Sequence, residues 1–148
     1  MVELSHGTFR IILQTPQGTS LDCRASGLVL PTHDGSWGIM RNHCPLLCKL
    51  GMGIMKITGI QSEPDAYFFL NGGFARVGEN NISVLSEEVI SFQQMQADEA
   101  NELHRRARAL VAGSEYIRTQ TQEQMSPKKA QILVKLAEMS GLTDEISA

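Results

Sequence analysis

GSWGIMRNHCPLLCKLGMG, residues 35–53, is the stretch on which the reading of the fold turns. It is too irregular for a helix and too glycine-punctuated for a plain strand. Apolar residues, one histidine and a Cys-Pro pair sit among four glycines. Such a segment bends through tight turns while presenting something on a surface. What lies on either side decides what that surface belongs to.

Upstream, Phe9, Ile11 and Leu13 alternate with Arg10, Ile12 and Gln14, the pattern of a half-buried strand with one imperfectly polar face. Pro16-Gln17-Gly18 ends it, because Pro presets φ and Gly supplies a positive φ. Short strands are expected at Leu21–Cys23 and at Gly27–Leu30, the latter stopped by Pro31. Downstream, Ile54–Thr58 alternates again. Ala66–Leu70 is a dense apolar strand expected to end at Asn71-Gly72-Gly73 and to pair as a hairpin with Phe74–Val77. Gly78–Asn81 is another turn and Ile82–Leu85 another strand. Turn signals about every ten residues are the rhythm of a β-sandwich or barrel.

The period then changes from 2 to 3.6. Between Gln93 and Ala148 stand one proline and two glycines. Leu103, Ala107, Leu110, Ser114 and Ile117 form a narrow apolar seam. Asp98 suits an N-cap or first turn, and a helix from there to about Gln120 would be roughly 35 Å long. Ser126-Pro127 opens a second helix, with Ile132, Leu133, Leu136 and Met139 on its apolar face and Gly141 as its stop. The small residues Ala100, Ala107, Ala112 and Gly113 allow close approach of a partner helix. The expected layout is a mainly β domain over residues 1–92 followed by a helical hairpin over 93–148, an α+β chain.

Bulk composition narrows the function. A net charge of −3 disfavours non-specific nucleic-acid binding, and 5% aromatics argues against base-stacking platforms. No run approaches the roughly 18 to 20 apolar residues of a membrane-spanning helix. The N-terminus has neither signal-peptide nor transit-peptide character, so the protein is expected to stay where it is made. Three cysteines, Cys23, Cys44 and Cys48, fit free thiols in a reducing compartment.

Catalytic signals are thin. There is no phosphate-binding Walker loop and no GxSxG elbow. His33, His43, Cys44 and Cys48 have the right chemistry for zinc, but in a strand Cys44 and Cys48 would stand about 13 Å apart, too far to share an ion. His43 lacks a neighbouring nucleophile or orienting carboxylate. A small metal-dependent enzyme using His33 and His43 is the competing functional class. Trp37, Leu46 and Leu47 are expected to anchor inward, while Ser36 and Arg41–His43 face outward. His104, Arg105, Arg106 and Arg108 form a basic cluster with two readings: a solvated face balanced by Glu99 and Glu102, or a contact for an acidic partner.

The chain resembles the ε subunits of F-type ATP synthases over nearly its whole length. Family members carry a G-x-[FLW]-G-I-[LM]-x-x-H-x-P-L-[LV] run, matched by Gly35 to Leu47. Asn71–Val77, Asn81–Leu85 and the Thr15-Pro16-Gln17-Gly18 turn match as well. The resemblance implies a β-sandwich of about ten strands followed by an antiparallel two-helix hairpin. It implies a non-catalytic rotor subunit without cofactor or metal, peripheral on the cytoplasmic face of the inner membrane. The sandwich would bind the γ subunit and the proteolipid (c) ring, and the hairpin would reach the α and β subunits and restrain ATP hydrolysis. By position, Ser36, Arg41, Asn42 and His43 would lie near the ring, and Cys44, Pro45 and Leu46 near γ. His104, Arg105, Arg106 and Arg108 would face acidic segments of the catalytic head. Some members bind ATP through [IL]-D-x-x-R-A. Here the aligned stretch is Ala97-Asp98-Glu99-Ala100-Asn101-Glu102, where Asn101 replaces the arginine and Glu102 adds a carboxylate. Weak or no nucleotide binding is expected.

Overall fold

The structure, a computed structural model, describes residues 7–112 and 125–141. The chain divides into two compact units, Met1–Ile90 and Ser91–Ala148.

The first unit contains eight strands among the described residues: β1 (Phe9–Thr15), β2 (Gly18–Ala25), β3 (Gly27–Thr32), β4 (Gly35–Met40), β5 (Leu46–Thr58), β6 (Ala66–Gly78), β7 (Asn81–Leu85) and β8 (Val89–Ile90). Hydrogen bonding orders them β2-β1-β7-β6-β5-β3-β4, with β8 on β6. All pairs are antiparallel except β1 with β7, where Ile11 lies beside Ile82 and Leu13 beside Val84. The alternation read in β1 is realised: Phe9, Ile11 and Leu13 are buried and Ile12 is half-buried.

The long strands β5 and β6 make one hydrogen-bonded sheet serve as two layers. Leu46–Leu50 pairs with Gly73–Val77, and that part of β6 also carries β7. Met52–Ile57 pairs with Ala66–Asn71, and this half of the sheet carries β3, β4 and β8. Leu28, Leu30, Met55, Ile57, Phe68 and Leu70 from one half meet Phe9, Ile11, Leu13, Val77, Ile82 and Val84 from the other in one core cluster. Each such side chain fully removed from water contributes about 1.5–3 kcal/mol.

Two expectations are corrected here. Asn71-Gly72-Gly73 is not a hairpin. The strand runs through it, and Phe74–Val77 pairs with β5 and β7 rather than with Ala66–Leu70. Gly72 at φ 71° and Gly73 at φ 117° bend the backbone without reversing it. The described residues form eight strands of the sandwich for which the resemblance implies about ten, and Leu46–Thr58 and Ala66–Gly78 each run unbroken through their glycines. Pro31 does not end β3. It is the fifth residue of that strand, and pairing to β5 lapses between Val29 and Thr32, where proline has no N–H to offer.

The second unit contains α1 (Ala97–Val111) and, as the next described helix, α2 (Pro127–Met139), which pack against each other. Asp98 and Glu99 lie in the first turn of α1 behind an extended Gln96 cap. Ala100, His104 and Ala107 are its buried residues. Leu103 and Leu110 of the expected seam are half-buried. The rest of that seam (Ser114, Ile117), Gly113 and the expected end near Gln120 lie outside the described residues. In α2 the Ser126 Oγ accepts the Lys129 N–H at 3.1 Å with Pro127 at the first helical position. Leu133 and Leu136 are buried as expected, together with Ala130 and Ala137. Gly141 follows at φ 79°, its N–H on the Glu138 carbonyl at 3.2 Å. No helix among the described residues is long and apolar enough to cross a membrane.

Candidate functional site

The motif-rich stretch divides into a strand, a loop and a second strand. β4 ends at Met40, and the chain turns through Arg41 and Asn42 before β5 begins at Leu46. The His43 N–H on the Met40 carbonyl, 3.2 Å, closes the turn. Asn42 takes the left-handed position at φ 64°, one of the few side chains that tolerates it. His43 Nδ1 is 2.8 Å from the Cys44 carbonyl oxygen. A carbonyl only accepts, so the ring donates from Nδ1, which leaves Nε2 for an outside group.

Beside this loop lies the two-residue β6–β7 turn. Glu79 at φ 50° and Asn80 at φ 60° span Gly78 and Asn81, as in a type I′ hairpin. The two turns bond side chain to loop: the Asn42 N–H donates to Asn80 Oδ1 at 2.7 Å, and Asn80 Nδ2 donates to Asn42 Oδ1 at 3.1 Å. A shallow recess next to them is lined by Pro45, Arg76, Val77, Glu79 and Ser83, among others.

The sequence-derived residues fall into place unevenly. Arg41, Asn42, Cys44 and Pro45 are exposed in one loop, and His43 is half-buried there. Ser36 is exposed but stands near the far end of β4, roughly 17 Å along the strand from Arg41. Leu46 turns inward opposite Val77 and packs on the core. Leu47, expected inward, faces out at 71% exposure, since strand neighbours alternate. Trp37 was expected to anchor the core and is 42% exposed. It shares a pleat face with Leu30, but β4 is an edge strand and Trp37 sits toward its outer end.

Sequence reasoning missed an apolar patch. Phe74 and Leu85 lie directly opposite each other on β6 and β7, both about half exposed, and Leu47 is the diagonal neighbour of Phe74 through its partner Arg76. The signal was present in the alternation: Ala75, Val77, Ile82 and Val84 take the core parity, which forces Phe74 and Leu85 outward.

His33 and His43 do not come together. They flank opposite ends of β4, and Cys48 packs on the core while Cys44 is exposed in the loop. The metal-enzyme arrangement is therefore not assembled. In the helical unit, His104 leaves the basic cluster: it is buried, its ring edge-on to Phe92 at 6.4 Å. Arg105 forks onto Glu102 at 2.7 and 3.2 Å, and this hydrogen bonding holds the Glu102 carboxyl below the usual carboxylate range. Arg106 is half-buried and Arg108 exposed. At the aligned nucleotide segment, Asp98 is exposed, Asn101 is half-buried and Glu102 is engaged by Arg105.

The family described as ATP synthase, Delta/Epsilon chain, beta-sandwich domain matches residues 8–92. The chain is 30% identical over 124 residues to the ATP synthase epsilon chain of Symbiobacterium thermophilum, covering 83% of this chain and 88% of that one. It is 34% identical over 93 residues to the epsilon chain of Rhodopirellula baltica, covering 63% and 71%. Among solved structures, a chain in the cryo-EM structure of the Euglena gracilis mitochondrial ATP synthase, OSCP/F1/c-ring, aligns with a TM-score of 0.58 at 15% identity, covering 90% of this chain and 81% of that one. That likeness concerns the fold. The profile spans β1 to β8 and the whole stretch from Gly35 to Gly53, and by it the chain belongs to the delta/epsilon chain family of the ATP synthases.

Proposed function

We propose that the chain is a non-catalytic central-stalk (rotor) subunit of an F-type ATP synthase, coupling ring rotation to the catalytic head. The observation that carries this is the family match over residues 8–92, which covers every strand among the described residues. The γ subunit docks on Cys44, Pro45 and Leu46 and on the adjoining patch of Leu47, Phe74 and Leu85. An exposed apolar surface of this kind gains from being covered. The polar loops of the c-ring meet Arg41, Asn42 and His43. Ser36 reaches a separate loop of the ring, since a ring presents the same loop repeatedly. The subunit sits at the cytoplasmic face of the inner membrane as part of the complex.

The helical unit regulates. In its extended state it reaches the α and β subunits through Arg105, Arg106 and Arg108 and restrains ATP hydrolysis. His104, buried, sets the helix rather than touching the partner. ATP does not bind at Asp98–Glu102, because no cation stands at Asn101 and a carboxylate stands at Glu102. Micromolar binding in a calorimetric titration would overturn that statement.

The test of the whole is co-purification with γ and the ring, followed by hydrolysis assays. A chain ending after Gln94 is expected to assemble normally and to raise the hydrolysis rate of the complex. Loss of assembly would refute the division of labour, and an unchanged rate would refute the restraint. Phe74→Asp is expected to weaken γ binding while the sandwich stays folded.

A further inference from the structure

We propose that Asn80 is a positioning residue for the Arg41–His43 loop, and that the Gly78–Asn81 turn forms one docking surface with that loop. The proposal rests on reading the loop as ring-facing. Asn42 and Asn80 are 38 residues apart, yet each fills the other's polar demand: one amide accepts a backbone N–H and donates its own N–H to the second amide's oxygen. Asn42, Glu79 and Asn80 all hold positive φ. Non-glycine residues in that region persist where their surroundings over-determine them, which is common at binding surfaces.

The direction of support is set by what anchors each turn. The Arg10 N–H donates to the Asn80 carbonyl at 3.0 Å, so the neighbouring strand β1 holds the β6–β7 turn. The loop has less of its own. Among the described residues its hydrogen bonds are the His43 N–H to Met40, the His43 ring to Cys44, and the pair with Asn80. The first two are internal to the loop and its adjoining strand. The Asn80 side chain is thus the arm that ties the loop to the rest of the sheet. Remove it, and Arg41 and His43 keep their turn but lose their fixed place. Exposed Glu79, next to Asn80 at the hairpin tip, is carried to the same surface, beside the recess at Pro45 and Arg76.

The chemistry makes the two asparagines unequal. Position 80 must accept from a backbone N–H and donate to Asn42 Oδ1, so Asn80→Asp keeps one bond and sets a carboxylate against an oxygen. Position 42 needs only an acceptor on its side chain, so Asn42→Asp keeps both bonds. Asn80→Gly removes both while keeping the positive φ without strain, which protects the variant from simply misfolding.

The experiment uses the full chain with each substitution. Hydrogen exchange of the Asn42 amide is measured in the free protein, and affinity is measured for a purified γ–c-ring assembly. Asn80→Gly is expected to speed exchange at Asn42 and weaken binding, each about tenfold, while the thermal midpoint stays within about 3 °C. Asn80→Asp should fall between, and Asn42→Asp, which keeps both bonds, should leave exchange of the position-42 amide as in the wild type. Wild-type exchange and binding in Asn80→Gly would overturn the proposal. So would faster exchange with unchanged binding, since the loop's placement would then not matter for docking. If the wild-type chain does not bind the assembly at all, the rotor reading fails and the docking half falls with it, while the exchange data still decide whether Asn80 positions the loop.

Discussion

Gly73→Ala is expected to be the most damaging single-methyl addition among the glycines of the β6 bend. Gly73 sits at φ 117°, and a Cβ there would land on the Leu85 carbonyl oxygen, with the Leu85 carbonyl carbon and the Ser86 Cα each 2.9 Å away. All three are backbone atoms and cannot swing aside. Adopting that φ with a side chain costs about 1–2 kcal/mol. Displacing Leu85–Ser86 then strains the Phe74–Leu85 pairing and the Ser86 N–H bond to the Gln14 carbonyl, 3.0 Å, at about 1 kcal/mol each. The sum is about 3–4 kcal/mol, a large share of the roughly 5–15 kcal/mol that holds a domain together. Gly72→Ala is the first control: φ is 71°, but the nearest atom is the Leu50 carbonyl oxygen at 4.0 Å, so the strain alone applies. Gly78→Ala is the second, with nothing within 4 Å and no positive φ, and should be near neutral. Urea titrations of the full chain followed by far-UV circular dichroism give the ranking. If Gly73→Ala costs no more than Gly72→Ala, the bend does not hold β6 against β7 as described.

Ser126→Ala removes the Oγ acceptor of the Lys129 N–H and should cost α2 about 1 kcal/mol, seen as faster exchange at that amide; an unchanged rate refutes the cap. Burial pushes the Cys23 and Cys48 thiols up, with Asp22 and Glu63 adding to the effect at Cys23. Exposed Cys44 should therefore be alkylated first at pH 8, and equal labelling of all three would contradict the packing. The Arg10 hydrogen bond holds the Asp22 carboxyl below the usual carboxylate range. A depressed folded-state value means the pair's support is present above the ordinary carboxylate titration and lost as pH falls through the folded one. The stability gap between wild type and Asp22→Asn should accordingly narrow only in acid, and a gap that widened there would reverse the sign.

What the sequence disclosed and what it hid follow from how far each signal reaches. β1 and the Ser126 cap were legible because alternation and capping are local. Asn71-Gly72-Gly73 looked like a hairpin because the same residues that permit a reversal also permit a bend, and only partner strands decide between them. Trp37 carries the right parity for the core but stands toward the outer end of an edge strand. His104 sits amid arginines in sequence, but helical phase places it in line with Ala100 and Ala107. The Asn42–Asn80 pair was invisible for a simpler reason: nothing in either turn announces the other.

The parallel pairing of β1 with β7 has a consequence in time. Ile11 must find Ile82 before the sheet can close, so the contact that seals the sandwich is among the most distant along the chain. Topologies dominated by such pairings fold over milliseconds to seconds, well behind local helices. During synthesis the first strand waits, one edge unsatisfied, until the seventh has emerged. The β2 hairpin partner shields its other edge in the meantime. A nascent chain halted before Asn81 therefore presents an open, apolar strand edge, which makes the last strands of the sandwich, rather than its first, the point at which the molecule becomes safe from aggregation.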